Sequence, residues 1–355
     1  MVKSFLMKRM YYLVPIVFLL MGCKTRTVYQ PILVPAEINI PQHIQRIGVL
    51  NRSLPAKGDR LINVVEGFLS GETIFGDRSA SFNACRGLVE RVNSSPRFKA
   101  VLLEGEKYYG TGTKEFPAPL SWNEVDMLCK KYNVDAIVAL ETFDSNFGLV
   151  KEVEEVEEVI NNVVQRVPVH NVDLHVRVNA GWRIYDNVSK QIIDSKVFTD
   201  MKGYHAEGAT PEEALANLPS KRAVLDETGD FAGQMMAFRI TPSWITIRRY
   251  YYVAGHPKFK EAKKYVKVGD WKKAVEIWTK LTRSSNPKIA AMAAHNMAVA
   301  AEREGLIDVA LDWANKAYQN FGLRREHPYV NQLQNRKKQM QQLKEQLPNV
   351  DTQKR

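Results

Sequence analysis

Val172, Leu174, Val176, Val178, Ala180, Trp182 and Ile184 occupy every second position of one stretch, with Asp173, His175, Arg177, Asn179 and Arg183 among the residues between them. A period of two sends successive side chains to opposite faces, so the stretch reads as a strand of about 14 residues, buried on one side and wet on the other. Residues 186–190, DNVSK, turn it, and residues 191–201, QIIDSKVFTDM, return antiparallel. One long β-hairpin thus commits the chain to a sheet.

The flanking segments supply what covers such a sheet. Residues 46–53, 97–104 and 135–143 are short apolar runs read as strands. Helical spacing appears in Leu61, Val64, Val65, Phe68 and Leu69, in Ala84, Leu88, Val89 and Val92, and in Val125, Leu128 and Tyr132. Ser121 with Glu124 three residues on forms a capping box that opens the last of these helices. In residues 151–164, Val153, Val156, Val159, Ile160 and Val163 also stand at helical spacing with glutamates between them, and predict a further helix. Residues 210–238 read as an interrupted helix and 242–253 as a closing strand. The fold class is therefore α/β or α+β, a mixed sheet with helices. Residues 105–119 form a loop. Its Gly110 and Gly112 are not followed by the Gly-Lys-Ser/Thr of a phosphate loop, and Pro117 prevents a helix from opening there.

The chain opens with Lys3, Lys8 and Arg9, then an apolar run from Tyr11 to Met21, then Gly22-Cys23. That run is shorter than the ~20 residues of a spanning helix and has the order of a secretory signal. Leu20-Met21-Gly22-Cys23 resembles the lipobox of bacterial lipoproteins. The resemblance implies that residues 1–22 are a signal peptide and that Cys23 is acylated, palmitate included. With Lys24 in place of an aspartate, it implies anchoring in the outer membrane, facing the periplasm. Three prolines and no periodicity in residues 24–45 predict a Pro-rich tether over 23–43. The body that follows, 44–254, is expected to be an α/β domain. In element order and lipoprotein setting it resembles the periplasmic domain of curli-secretion-type lipoproteins and the amino-terminal domain of TolB-like proteins. The long amphipathic hairpins that build curli channels are not evident in the sequence, and the 172–201 hairpin is too polar on its outer face to meet lipid.

Charge separates the last hundred residues from the rest. The chain carries +11, and residues 255–355 hold 20 Lys and Arg against 10 Asp and Glu. Ala262, Tyr265, Gly269, Trp271, Ala274, Trp278 and Leu281 mark a helical hairpin, and Ala298, Gly305, Ala310 and Ala317 repeat it 36 residues later. Asn286-Pro287 lies between the two units. The pattern resembles the tetratricopeptide repeat, whose period is about 34 residues. Ala301 and Ala314 depart from it, standing where a large and an aromatic residue are usual. Tyr329, Leu333, Met340, Leu343 and Leu347 predict a third helix that caps the stack, giving a helical domain over 255–347 and a disordered tail over 348–355.

Sites for chemistry are sparse. His43, His170, His175, His205, His256, His295 and His327 form no H-E-x-x-H motif and no i, i+4 pair, so no metal and no cofactor is expected. His295, in an alanine-rich helix, reads as a packing histidine. Cys85 and Cys129 either pair outside the cytoplasm or stay as buried thiols. Residues 71–86, with Gly71, Gly76, Asp77, Arg78 and Asn83, form the most site-like loop, and turn or capping roles account for them. No catalytic residue is assigned. The expected function is a non-enzymatic envelope lipoprotein, held to the membrane by acyl chains on Cys23, that binds a protein or peptide at its helical repeats. The alternative is a periplasmic hydrolase or glycan-handling enzyme with the repeats as a docking arm. Secretion and the lack of aromatics between the basic residues argue against nucleic acid. Partner binding is expected at Lys260, Lys263, Lys264 and Lys267, which share one helix face and favour an acidic ligand.

Overall fold

The computed structural model describes residues 24–54, 73–111, 115–160, 162–323 and 327–348. The segment expected to be a signal peptide, Cys23, the helix expected around Leu61–Leu69, Gly71, Gly112 and the tail from residue 349 lie outside them. In chain order the first elements are β1 (Thr25–Val34), β2 (Arg46–Asn51), α1 (Thr73–Asn93), β3 (Lys99–Leu102), α2 (Trp122–Tyr132), β4 (Ala136–Ile160), β5 (Val163–Asp186) and β6 (Gln191–Gly208). There follow α3 (Pro211–Ala216), α4 (Lys221–Ile240), β7 (Ser243–Tyr252), α5 (Pro257–Lys267), α6 (Trp271–Leu281), α7 (Pro287–Arg303), α8 (Ile307–Asn315), a π turn (Lys316–Asn320) and α9 (His327–Gln346). The chain divides into two compact units, Ile32–Ile245 with Lys338–Arg355, and Met1–Pro31 with Thr246–Lys337.

The first unit is a five-stranded mixed sheet of order β3-β2-β4-β5-β6. Strand β2 runs parallel to β3 and β4, while β4, β5 and β6 are antiparallel neighbours. Alternation along the strands divides the core. Ile47, Val49, Ala136, Val138 and Leu140 pack with α1 and α4, whereas Leu50, Ile137 and Ala139 pack with α2. Trp182, Leu88 and Ile47 are buried almost completely, each contributing roughly 2–3 kcal/mol of apolar burial. Helices α1 and α4 approach closely because Gly229 and Gly233 face the backbone of Ala80 and Ala84, where a Cβ would collide with a carbonyl oxygen. The capping box of α2 forms as expected, Ser121 and Glu124 each accepting from the other's backbone N–H.

Two sequence expectations are overturned. Residues 151–160 are the end of β4 and not a helix: Val159 pairs with Val164, Val156 with Val167 and Val153 with His170 across a continuous antiparallel ladder. Asn162 closes that hairpin at φ 63, a left-handed conformation that asparagine tolerates. The β4–β5 hairpin so formed spans 136–186 and adds to the β5–β6 hairpin expected over 172–201. Residues 25–34, expected as tether, form β1, which pairs with β7 in a two-stranded sheet.

The second unit holds most of the β1–β7 pair and is otherwise helical. Helices α5 and α6 form one hairpin and α7 and α8 another. Each turns on a glycine at positive φ, Gly269 at 80° and Gly305 at 75°, where other residues are strained. Phe259, Ala262, Ala274, Trp278, Ala298 and Ala310 are buried between the helices. The end of β7 is stitched to α7: Asn296 accepts from Tyr252 N at 2.7 Å and donates to Tyr252 O at 2.9 Å. Helix α9 serves both units. Tyr329 and Leu333 join the helical core, while Leu343 and Leu347, expected to cap the repeat stack, pack with Leu33 and Trp244. The whole is an α+β fold with helices at the C-terminal end.

Candidate functional site

Helix α5 owes its position to its buried side. Pro257 occupies the first turn, where no N–H is needed, and His256 caps it by accepting from Lys258 N. Phe259 and Ala262 lie fully inside, near Trp278 and Tyr251. This anchors one stripe and leaves the opposite stripe to lysines. Lys260, Lys264 and Lys267 are exposed and Lys263 half-buried. The carboxylates within reach are already engaged. Glu261 pairs with Lys258 at 2.7 Å, and Asp270 pairs with Lys273 at 3.2 Å while capping α6. The bond from the Lys273 backbone N–H holds the Asp270 carboxyl below its ordinary range. Among the described residues, Lys260, Lys263, Lys264 and Lys267 have no carboxylate partner. All four lysines lie on α5, three of them exposed.

A buried titratable cluster lies in the sheet unit. A bulge between Leu140 and Thr142 leaves Glu141 without an opposite residue in β5. Its carboxylate is completely buried and accepts from Tyr185 Oη at 2.6 Å. Arg52 Nη1 lies 3.0 Å away and Arg183 Nη1 3.7 Å away. The loop after Gly110 is fastened over this group. Arg52 donates to Ala118 O at 3.1 Å, Arg183 donates to Pro117 O at 2.8 Å, and the Arg183 guanidinium lies over the Phe116 ring. Burial pushes the Glu141 carboxyl above its ordinary value, against the bond from Tyr185 and the two guanidinium charges. One carboxylate facing two guanidinium groups is an arrangement for charge compensation rather than the carboxyl pair of a glycosidase. Sequence reasoning missed it. The signal available was a lone glutamate in the apolar run Ala136–Phe143, but its partners come from two other places in the chain, just after β2 and within β5.

Residues 44–252, more than half of the chain, match a family described as a domain of unknown function, DUF8603. The chain belongs to the DUF8603 family. Residues 260–345 match a second domain of unknown function, DUF6340. No curated protein matches the chain. Among solved structures, the PelC dodecamer from Paraburkholderia phytofirmans in space group P6 is 9% identical, with 61% of this chain and 99% of that one covered at a TM-score of 0.23. Its L103M variant in space group C2 is 8% identical, with 60% and 99% covered at the same TM-score of 0.23. A TM-score of 0.23 lies below the range that indicates a shared fold.

The remaining expectations distribute over the DUF8603 part and its helical neighbour. Residues 73–86 of the site-like patch lie in α1 rather than in a loop. Ser79 and Asn83 both donate to Asp226 of α4, beside an open cavity of about 340 Å³ lined by Arg86, Glu90 and Asp230. Cys85 and Cys129 are free, buried thiols in separate cores on the two faces of the DUF8603 sheet. Burial pushes the Cys129 thiol up to about 12, so it stays protonated. His295 packs as expected, 4.5 Å from the Tyr250 ring with Nε2 2.8 Å from Tyr250 O. Among the described residues no group of His, Cys, Asp and Glu could hold a metal ion, and no helix is long and apolar enough to cross a membrane.

Proposed function

We propose that this chain is a non-enzymatic envelope lipoprotein that recruits an acidic protein partner through the lysine face of α5. The observation that carries the reading is that Lys260, Lys263, Lys264 and Lys267 stand together on α5 while Glu261 and Asp270 are spent on Lys258 and Lys273. Like charges at i, i+3 and i+4 cost a few tenths of a kcal/mol per pair, roughly, and a partner's carboxylates relieve that repulsion and speed encounter. The two glycine-turned hairpins, similar to tetratricopeptide repeats, provide the rigid platform that holds the face. Acylation at Cys23 holds the platform at the periplasmic side of the outer membrane.

Two experiments test the parts separately. Cys23→Ala is expected to leave the chain unprocessed or free of the outer membrane; fractionation with that membrane and continued loss of residues 1–22 would defeat the anchoring. Capture from envelope extracts with wild type and with Lys260, Lys263, Lys264 and Lys267 changed to Glu is expected to lose a salt-sensitive partner in the variant. An unchanged partner set, insensitive to salt, would defeat the binding.

A further inference from the structure

Among the described residues, nothing pairs with the outer edges of the β4–β5 hairpin's end, which stands as a two-stranded ribbon. Pairing of β2 to β4 stops at Leu140, and pairing of β6 to β5 stops at His170. Among the described residues, 154–160 and 163–169 therefore pair only with each other. Pro168, which has no N–H to donate, sits where β5 has lost its second neighbour. Val153, Val159, Val163 and Val164 are each more than half exposed, at 62%, 67%, 56% and 61%. A two-stranded ribbon is marginal in water, and an exposed edge is a template for further contact.

The charge on the ribbon selects what can cover it. Glu152, Glu154, Glu155, Glu157 and Glu158 are all exposed. Arg166 lies opposite Glu157, 3.6 Å away. On the other face Glu152, Glu154 and Glu158 lie opposite Asn171, Val169 and Gln165. That face carries no lysine or arginine between residues 152 and 169. Anionic headgroups repel such a row, and carboxylates do not enter hydrocarbon. The row fits a cationic protein surface.

This chain carries that surface itself. Side chains on one face of a strand recur about every 6.8 Å. Lysines four apart on a helix are separated by a rise of about 6 Å. Glu152 with Glu154 thus matches the step from Lys260 to Lys264, or from Lys263 to Lys267. We infer that the acidic partner of the α5 lysine face is the Glu152–Glu154–Glu158 face of the ribbon on a second copy of this chain. The inference rests on the partner-binding reading above and names the partner. Each copy offers both a ribbon and a helix, so the contact joins unlike surfaces and either closes reciprocally in a dimer or continues head-to-tail into rings or filaments.

A charge swap on the full mature chain decides it. Wild type is expected to sediment as dimers or larger species at high protein concentration and low salt, and as monomer at high salt. Glu152→Lys, Glu154→Lys and Glu158→Lys together abolish assembly, as do Lys260→Glu, Lys263→Glu, Lys264→Glu and Lys267→Glu together. Mixing the two variants restores it, since each then offers the charge the other lacks. Unchanged circular dichroism and melting confirm that these surface changes leave the fold intact. A monomeric wild type, assembly that survives either set of substitutions, or no recovery on mixing would overturn the inference. If wild type stays monomeric while the α5 variant loses its captured envelope partner, the second copy is ruled out and the partner-binding reading stands. If wild type stays monomeric and instead binds phosphatidylglycerol vesicles in an α5-dependent way, the lysines serve lipid and both fall.

Discussion

Tyr185 donates a 2.6 Å hydrogen bond to Glu141, a residue that a bulge has lifted out of register with β5. The same Tyr185 oxygen accepts from Leu120 N at 3.2 Å, so one phenol fastens both the buried carboxylate and the loop above it. Tyr185→Phe removes both bonds without changing the ring packing. A bond to a charged acceptor contributes about 1.5–3 kcal/mol, and the unfolding free energy is expected to fall by that amount, seen as a lower urea midpoint with an unchanged slope. A midpoint equal to wild type would show that the cluster does not hold the loop.

The Glu141 carboxyl gives stability an inverted pH dependence. Its folded-state pKa lies above the ordinary value of 4.5, because burial outweighs the help of Tyr185, Arg52 and Arg183. The folded chain therefore keeps this proton longer than the unfolded chain does. The contribution is fully present below the ordinary carboxylate value and is lost as pH rises through the raised one. Unfolding free energies of wild type and Glu141→Gln, measured across that window, should show the wild-type advantage shrinking as pH rises. A difference that grows with pH would contradict the direction.

Arg249 binds Glu302 through two bonds, 2.7 and 2.8 Å long, and Tyr329 donates to the same buried carboxylate at 2.8 Å. Breaking a buried pair leaves an uncompensated charge, at a cost of about 3–5 kcal/mol. Glu302→Ala is expected to unfold at much lower denaturant concentration. Arg249→Met with Glu302→Leu should recover most of the loss, because removing both charges removes the desolvation penalty. If the single variant melts like wild type, the pair is dispensable.

Gly233→Ala places a methyl group against the Ala84 carbonyl of α1. The helices must separate, and overpacking of this kind costs roughly 1–3 kcal/mol. Alanine is a better helix former than glycine by about 1 kcal/mol, so only the collision can make the change destabilising. Thermal unfolding of the variant gives the sign directly, and a raised melting temperature would show that α1 and α4 yield freely.

Much of the lysine face was legible because it is local. Residues at 260, 263, 264 and 267 share a helix side by spacing alone, and Phe259 and Ala262 identify the buried side. The Glu141 cluster was not legible, because Arg52 follows β2, Glu141 lies in β4 and Arg183 and Tyr185 lie in β5, and adjacency along the chain does not bring these segments together. The free ribbon was hidden for a related reason: whether β6 reaches residue 168 depends on register, which no single strand specifies.

Alternation from Val172 to Ile184, the apolar runs of β2, β3 and β4, the capping box of α2 and the glycine turns of the helical hairpins were determined by the sequence itself. Each is a short-range pattern whose physical cause lies within a few residues. Residues 151–160 and 25–34 were decided only by tertiary structure. The valines at 153, 156 and 159 satisfy helical spacing, and glutamate favours a helix over a strand. Cross-strand pairing with Val164, Val167 and His170 nevertheless extends β4 into the ladder. Thr25–Val34 has no periodicity of its own and becomes a strand because β7 offers it a partner. A strand's backbone hydrogen bonds lie outside itself, so its existence depends on a neighbour that local sequence cannot name.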